Sequence, residues 1–202
     1  MQSTPSSSLV SMSDTTSVVI PLHKPKLKER LFFLFSGIIV SVPITLFINI
    51  FSGYLVPLPT SSTTATIISV VILAPLIEEF SKAYPLFYRH AETERSIFTL
   101  GFLVGLGFGI AEFIEYVVFF GVPIVVRLPG IFFHAASTSI TAFGIGRKRA
   151  FPYYLLAVSL HLLNNLFSVL TPYSFLSFGM IFLTYYLSLS LYGKTQNRII
   201  PM

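Results

Sequence analysis

The sequence predicts an all-α membrane protein, a polytopic bundle of about six transmembrane helices with both termini in the cytoplasm. Only 10% of the 202 residues are charged, whereas 53% are hydrophobic, and the mean hydropathy is +0.79. A soluble domain of this size carries about 25% charged residues, so the composition excludes a soluble globular protein. Because apolar segments recur along nearly the whole chain, a single membrane anchor is excluded as well, and no length remains for a separate soluble domain.

Six apolar segments predict the spans, and each is long enough to cross a hydrocarbon core of about 30 Å as a helix. They cover 31–52, 64–88, 97–120, 128–146, 150–170 and 174–192. The transmembrane domain is therefore expected over 31–192, with a short cytoplasmic tail over 193–202. The segment 1–30 contains a basic juxtamembrane stretch, preceded by twenty residues with ten Ser or Thr and no helical pattern, which is typical of a disordered tail.

The basic residues predict the orientation of the chain in the cell membrane. Eleven of the thirteen lie on one side of the predicted bundle: four before the first span, two between spans two and three, three between spans four and five, and two after span six. Arg127 alone lies on the other side, and Lys82 lies within span two. This asymmetry predicts cytoplasmic termini. It also accounts for the net charge of +5, so we expect the lipid bilayer rather than nucleic acid as a partner.

Missing residues and motifs narrow the chemistry further. The chain contains no cysteine, which excludes disulfides, thiol catalysis, thiolate zinc sites and iron–sulfur ligation. No helix carries the two-histidine metal motif HExxH, and neither a GxSxG nucleophile elbow nor a phosphate-binding glycine loop occurs.

Small residues and prolines predict how the helices pack and bend. Span three has a doubled GxxxG spacing and span four is rich in small residues, which lets two helices approach closely. The three glycines are Gly101, Gly105 and Gly109. Prolines within apolar segments predict kinks, and they are Pro43, Pro75 and Pro85. Because Pro75 precedes a pair of glutamates by three residues, a kink there would open a polar pocket.

The informative residues are polar side chains inside the spans, since each charge at mid-bilayer costs roughly 2.5–3.5 kcal/mol on insertion scales. They are Glu78, Glu79, Lys82, Glu112, Glu115, His134, His161, Asn164 and Asn165. Any one of them is compatible with interhelical hydrogen bonding alone. Their occurrence on four successive spans favours a shared functional centre.

Span two presents two adjacent carboxylates and a lysine. Glu78 and Lys82 are four residues apart on one helix face, in the order that favours an ion pair. If Lys82 neutralises Glu78, the pairing leaves Glu79 free, and it is also compatible with catalysis by Glu78. Adjacent helical residues differ by about 100° in direction. One glutamate is therefore expected to serve a reacting centre while the other holds a neighbouring helix.

The later spans supply possible partners. Glu112 lies on the glycine face of span three and is expected to point into the bundle. Glu115 is expected to be an interfacial carboxylate in contact with water. His134 on span four is compatible with a structural hydrogen bond. His161 and Asn165 share a face of span five, where they would donate hydrogen bonds to an oxyanion, or the histidine would bind a metal.

In order and placement, these residues resemble the PrsW family of intramembrane proteases, which is similar to the CAAX prenyl endopeptidases, to bacteriocin-processing proteases and to the Aph subunit of γ-secretase. The resemblance covers about 75–170. The matching elements are EExxK over 78–82, GFxxxE over 107–112, the lone His134, and HxxxN over 161–165. One position departs from the pattern, because Phe113 follows Glu112 where the family commonly has asparagine.

The resemblance implies an endopeptidase that cleaves membrane-anchored protein or peptide substrates within or near the bilayer. In the prenyl endopeptidases, a glutamate of the paired motif and a histidine activate water. By that likeness Glu78 or Glu79 would be the base, and His161 with Asn165 would form the oxyanion site.

The same likeness places Glu112 and His134 in the water-binding centre, with Lys82 in support. The preferred interpretation is a glutamic-type enzyme that requires no cofactor. PrsW proteins are also classed as metalloproteases, and zinc is a possible cofactor at His134 and His161 with the paired glutamates or Glu112.

Two other functions remain open from the sequence. Buried Glu and His residues also build proton relays, so a proton-coupled transporter is possible, although no inverted internal repeat is visible. A non-catalytic membrane scaffold, as the Aph likeness suggests, is the other alternative, although a scaffold has little need of a carboxylate pair.

Overall fold

The computed structural model describes residues 24–55, 62–88 and 93–197, and nearly all of this part is helical. Its α-helices are α1 (Leu27–Ser36), α2 (Val42–Leu55), α3 (Ser62–Thr66), α4 (Ala74–Ala83), α5 (Glu94–Ile114), α6 (Ile124–Gly146), α7 (Ala150–Val169) and α8 (Phe175–Gly193). Shorter turns continue or link them: π-helical turns at Gly37–Ser41, Ile67–Leu73 and Glu115–Phe119, and 3-10 turns at Tyr84–Tyr88 and Thr171–Tyr173.

The predicted all-α membrane fold is confirmed. In the described part, five helical segments are long and apolar enough to cross a membrane, namely Leu27–Phe51, Thr63–Tyr88, Glu94–Phe119, Ile124–Gly146 and Phe175–Gly193. Helix α7 has the length of a span at 20 residues, but its histidine and two asparagines lower its hydropathy. The predicted disordered tail over 1–20 lies outside the described residues, and the first helix begins at Leu27, before the predicted start of the first span.

Each predicted proline kink coincides with an irregular turn. The π-helical turn Gly37–Ser41 precedes Pro43, the π-helical turn Ile67–Leu73 precedes Pro75, and the 3-10 turn Tyr84–Tyr88 contains Pro85. Proline lacks the N–H that an earlier carbonyl would accept, and π-helical turns are a common response to such an interruption. The first two membrane segments are therefore interrupted helices rather than straight rods.

The glycine face of α5 packs on α6, as predicted. A Cβ at Gly105 would collide with the carbonyl oxygen of His134 and with Cα of Ala135, and a Cβ at Gly101 would collide with Ala142. Only glycine lets the two backbones come this close. The close approach brings α5 side chains such as Glu112 within reach of α6.

One end of the bundle is fastened by a cluster of charged groups. The Arg95 guanidinium donates to the hydroxyl and the carbonyl of Thr195. Arg147 donates to the carbonyl of Lys194 and pairs with Glu94 at 3.3 Å. These contacts tie the end of α8 to the start of α5 and the end of α6.

Candidate active site

The adjacent glutamates of α4 point in different directions, as expected. Glu79 is fully buried and faces α6 and α7, whereas Glu78 lines a cavity. Lys82 pairs with Glu79, with 2.6 Å between Nζ and Oε1. The predicted pairing of Lys82 with Glu78 was therefore wrong. Positions three and four residues apart are both within reach on a helix, and the orientation of α4 in the bundle selects the former.

Glu79 is the anchor of a buried network that joins three helices. Its Oε1 atom accepts from Lys82 on its own helix, from the Ser137 hydroxyl of α6 at 3.0 Å, and from Nδ1 of His161 of α7 at 2.9 Å. Lys82 is fully buried and also lies 2.9 Å from Nδ1 of His134. The pair is thus neutral as a unit, and its remaining bonds fix both histidine rings.

These partners assign opposite tautomers to the two histidines. A carboxylate only accepts hydrogen bonds, so His161 donates its Nδ1–H to Glu79 and keeps a bare lone pair on Nε2. That Nε2 atom lies 3.8 Å from Oε2 of Glu78. An ammonium only donates, so His134 accepts from Lys82 at Nδ1 and carries its hydrogen on Nε2.

His134 uses that hydrogen to bond Glu112, which confirms that Glu112 points into the bundle. Nε2 of His134 lies 2.6 Å from Oε2 of Glu112. The other oxygen of Glu112 pairs with Arg127 at 3.0 Å, and the guanidinium of Arg127 lies 3.6 Å above the ring of Tyr116. Both oxygens of Glu112 are therefore held by cationic or polar groups of α6.

Aromatic rings surround the polar network. The Phe133 ring is almost fully buried and makes edge contacts with His134 and His161, with ring centroids 5.6 and 5.1 Å apart. The ring of Phe108 contacts His134 and lies 5.2 Å from Nζ of Lys82. Such apolar surroundings strengthen the charged hydrogen bonds that they enclose.

A cavity of about 560 Å³ lies beside this network. Glu78, Glu112 and Asn165 line it, together with Arg127 and Tyr116. The two histidines and Glu79 are buried behind the residues that line the cavity. His134 contacts Glu112 there, and His161 contacts Glu78 and Glu79. Glu115 also lines the cavity and is exposed.

Asn165 has a structural partner. Its Nδ2 donates to the carbonyl of Val70 at 2.9 Å. In a π-helical turn that carbonyl would bond the N–H five residues later, and residue 75 is a proline. Asn165 thus replaces the hydrogen bond that Pro75 removes, and its amide retains a second hydrogen. Its role as an oxyanion donor stays a prediction.

Three polar residues of the site escaped the sequence reasoning about the centre. Arg127 was assigned to the outer side of the bundle, but α6 begins at Ile124, so Arg127 lies in its first turn. Arg127 is the one basic residue on its side of the predicted bundle, and this was the sequence signal that could have marked it as part of the site. Ser137 follows His134 by three residues and so shares its helix face. Asn164 was noted within its span but given no role, and it lines the cavity beside Asn165.

The residues present fit a metal ion. Glu78, His134 and His161 each offer one ligand atom, and these atoms lie within 4.8 Å of one another. Two histidines and one glutamate are a known ligand set for catalytic zinc, with the fourth position open. Oε2 of Glu78 is buried without a hydrogen-bond partner, and Nε2 of His161 has its lone pair free. His134 would exchange its bond to Lys82 or to Glu112 for the ion.

Comparison with known proteins identifies one protein family. The model of the PrsW family intramembrane metalloproteases matches residues 26–191. No curated protein and no solved structure shows significant similarity to the chain.

Proposed function

Because the chain belongs to the PrsW family of intramembrane metalloproteases, we propose that it is an endopeptidase that cleaves membrane-anchored proteins within or near the bilayer. One observation carries the proposal for this chain. Oε2 of Glu78, which lines the cavity and has no hydrogen-bond partner, faces Nε2 of His161 at 3.8 Å, and the bond from Nδ1 of His161 to Glu79 makes that Nε2 an acceptor as well.

A water molecule satisfies both acceptors at once. Their separation is too long for a direct hydrogen bond, but a water at about 2.8 Å from each atom donates one hydrogen to Glu78 and one to His161. Water held in this way is polarised for attack on a carbonyl carbon in the cavity. This favours Glu78 over Glu79 as the base, since Glu78 lines the cavity, whereas Glu79 does not line it and its Oε1 is held by Lys82, Ser137 and His161.

The hydrolysis then follows general acid–base logic. Glu78 takes a proton from the water while the oxygen of the water bonds to the carbonyl carbon of the substrate. The carbonyl oxygen then becomes an oxyanion. We assign the second amide hydrogen of Asn165 to that oxyanion. The C–N bond breaks as Glu78 returns the proton to the leaving nitrogen, which gives a carboxylic acid and an amine. Glu79 holds the tautomer of His161 throughout.

We also propose roles for the remaining charged residues. Glu112 and His134 form the far wall of the centre, and Lys82 neutralises Glu79 so that the site retains one reactive carboxylate. In a metal-dependent version, Glu78, His134 and His161 would hold zinc, which supplies a more acidic bound water and polarises the substrate carbonyl. Glu79 and Glu112 would then orient the histidine ligands from behind.

The orientation in the membrane is part of the proposal. We infer a multi-pass protein of the cell membrane with both termini in the cytoplasm. Most basic residues lie on the side of the bundle that holds both termini, and such an excess marks the cytoplasmic side. The substrate is a protein or peptide anchored in the same bilayer, since the carboxylates lie within membrane-spanning segments.

Product mass spectrometry on purified protein tests the function. Single-span peptides are incubated with wild type, Glu78→Gln, Glu79→Gln and His161→Ala, with and without chelator, and Glu29→Gln in the first turn of α1, outside the cavity, serves as control. Cleavage lost in the three site variants and kept with chelator would establish a metal-independent glutamate protease. Cleavage lost with chelator and restored by zinc would establish a metalloprotease. A wild type that cleaves no peptide would contradict the proposal.

A further inference from the structure

Unsatisfied polar atoms gather at the cavity. Within the residues that the structure describes, seven buried side-chain atoms lack a hydrogen-bond partner, and the residues that carry four of them line this one cavity. The four atoms are Oγ1 of Thr45, Oε2 of Glu78, Nε of Arg127 and Oδ1 of Asn164. Each such atom carries a desolvation cost if nothing binds it, and buried polar groups normally have a partner.

Two of the four atoms belong to side chains that have no role in the proposed chemistry. Glu78 carries the reacting water, and Arg127 is held by Glu112 and Tyr116. Thr45 and Asn164 belong to α2 and α7, which each pack against α4, the helix that carries Glu78. They therefore line the cavity that Glu78 also lines from two different helices.

The two side chains offer complementary hydrogen bonding. The hydroxyl of Thr45 donates and accepts, while Oδ1 of Asn164 only accepts. The amide nitrogen of Asn164 points to Asn165 Oδ1 at 3.4 Å, which leaves its oxygen for the cavity. A donor and an acceptor set on two walls match the C=O and N–H groups of an extended peptide.

A membrane-anchored substrate presents such groups only when it unwinds. Inside a transmembrane helix every backbone N–H and C=O is bonded within the helix, so the scissile carbonyl is reachable only after a local opening. The opening leaves backbone groups without partners in a water-poor site. Side chains that accept and donate to them would offset that cost.

We propose that Thr45 and Asn164 form a subsite that binds the unwound main chain of the substrate on the two sides of the scissile bond. Oδ1 of Asn164 accepts a backbone N–H, and the hydroxyl of Thr45 donates to a backbone C=O. The inference rests on the proposed function and deepens it. The subsite recognises peptide backbone, so it selects for segments that unwind easily rather than for a particular side chain.

Isosteric variants test the subsite in steady-state cleavage. Thr45→Val and Asn164→Leu remove the polar atoms and keep the volumes nearly unchanged. The matched control is Thr141→Val, because Thr141 is a buried threonine of α6 whose hydroxyl also lacks a partner but does not line the cavity. We expect about a three- to tenfold loss in kcat/KM for each subsite variant, expressed mainly in KM. Thr141→Val should match wild type.

A binding experiment separates the subsite from catalysis. The probe is a fluorescent single-span polyleucine peptide with lysine flanks and a central Ala-Gly-Ser-Gly segment, bound to the otherwise unaltered Glu78→Gln protein in nanodiscs. Each central backbone nitrogen is N-methylated in turn, which removes one N–H. We expect one methylation to weaken binding about three- to tenfold, and to have no further effect when Asn164→Leu is also present.

The outcomes distinguish the two proposals. If the wild type cleaves no peptide but the effect of N-methylation on binding disappears in Asn164→Leu, the subsite is retained and the proteolytic function is overturned. Normal cleavage and binding by Thr45→Val and Asn164→Leu would overturn the subsite and retain the protease. Equal effects of Asn164→Leu and Thr141→Val, or no binding of the peptide at all, would also overturn the subsite. Thermal unfolding of each variant in detergent confirms that it is folded.

Discussion

Oε1 of Glu79 lies 2.9 Å from Nδ1 of His161, and this bond determines which nitrogen of His161 faces Glu78. The carboxylate accepts the Nδ1–H and leaves a lone pair on Nε2. Adjacent glutamates thereby acquire different tasks. Glu79 orients the imidazole, and Glu78 shares with it the position where water would bind.

The two glutamates are expected to respond differently to the same substitution. Glu78→Gln should lower the cleavage rate by about 10²–10⁴-fold with little change in Tm, because Oε2 of Glu78 has no hydrogen-bond partner to lose. Glu79→Gln should lower both activity and Tm, since it leaves the fully buried Lys82 without its carboxylate. Thermal unfolding and cleavage of the same preparations measure both. A larger drop in Tm for Glu78→Gln would reverse the assignment.

Lys82→Met should destabilise the protein, and the double variant Glu79→Gln/Lys82→Met should be more stable than either single variant. Removing one member of a buried ion pair costs about 3–5 kcal/mol, whereas removing both is often nearly neutral. Chemical unfolding of the four proteins gives the double-mutant cycle. Additive losses would mean that the buried pair at 2.6 Å is not energetically coupled.

Arg127→Ala should lower kcat with little change in KM, because Arg127 positions Glu112, which in turn holds His134. The cavity is large enough to admit small solutes. Added guanidinium ions should therefore restore part of the lost rate at millimolar concentrations that leave wild type unchanged, and ammonium should restore less, since a guanidinium fits a carboxylate with two parallel bonds. A loss that no cation rescues would assign Arg127 to folding alone.

How far the sequence predicts this site depends on whether the local helix or the neighbouring helices decide a contact. Glu112 could be placed inside the bundle from its glycine face, because GxxxG spacing fixes which side of a helix meets its neighbour. The partner of Lys82 could not, since Glu78 and Glu79 are both within its reach and Ser137 and His161 on other helices settle the choice.

The boundaries of the helices limited the prediction in a second way. Hydropathy placed the start of the fourth span at residue 128, whereas α6 begins at Ile124. A charged residue in the first helical turn lowers the hydropathy there, so the criterion that locates a span excludes Arg127. The existence of the helices followed from composition, and a pocket followed from Pro75, but the position of Arg127 in the cavity wall followed from neither.

Zinc binding should depend on the three residues that can hold an ion. Isothermal titration of the metal-free protein in detergent should give one site per chain for wild type. His161→Ala and Glu78→Gln should each weaken it by more than tenfold, because a ligand atom is lost. Glu115→Gln is the matched control, since its carboxylate lines the same cavity but lies outside the ligand group. Wild type that takes up no zinc would favour the metal-independent mechanism.

Asn165 and Pro75 offer a test that separates a structural role from a catalytic one. Asn165→Ala removes the donor to the carbonyl of Val70 and should cost about 1–3 kcal/mol of stability, as expected for an orphaned acceptor. Pro75→Ala returns a backbone N–H to the turn, so the double variant should recover most of that stability. If Asn165 also stabilises the oxyanion, the double variant will recover its Tm while its kcat stays low by about 10²–10³-fold. Recovery of both Tm and kcat would assign Asn165 to the repair of the proline break alone.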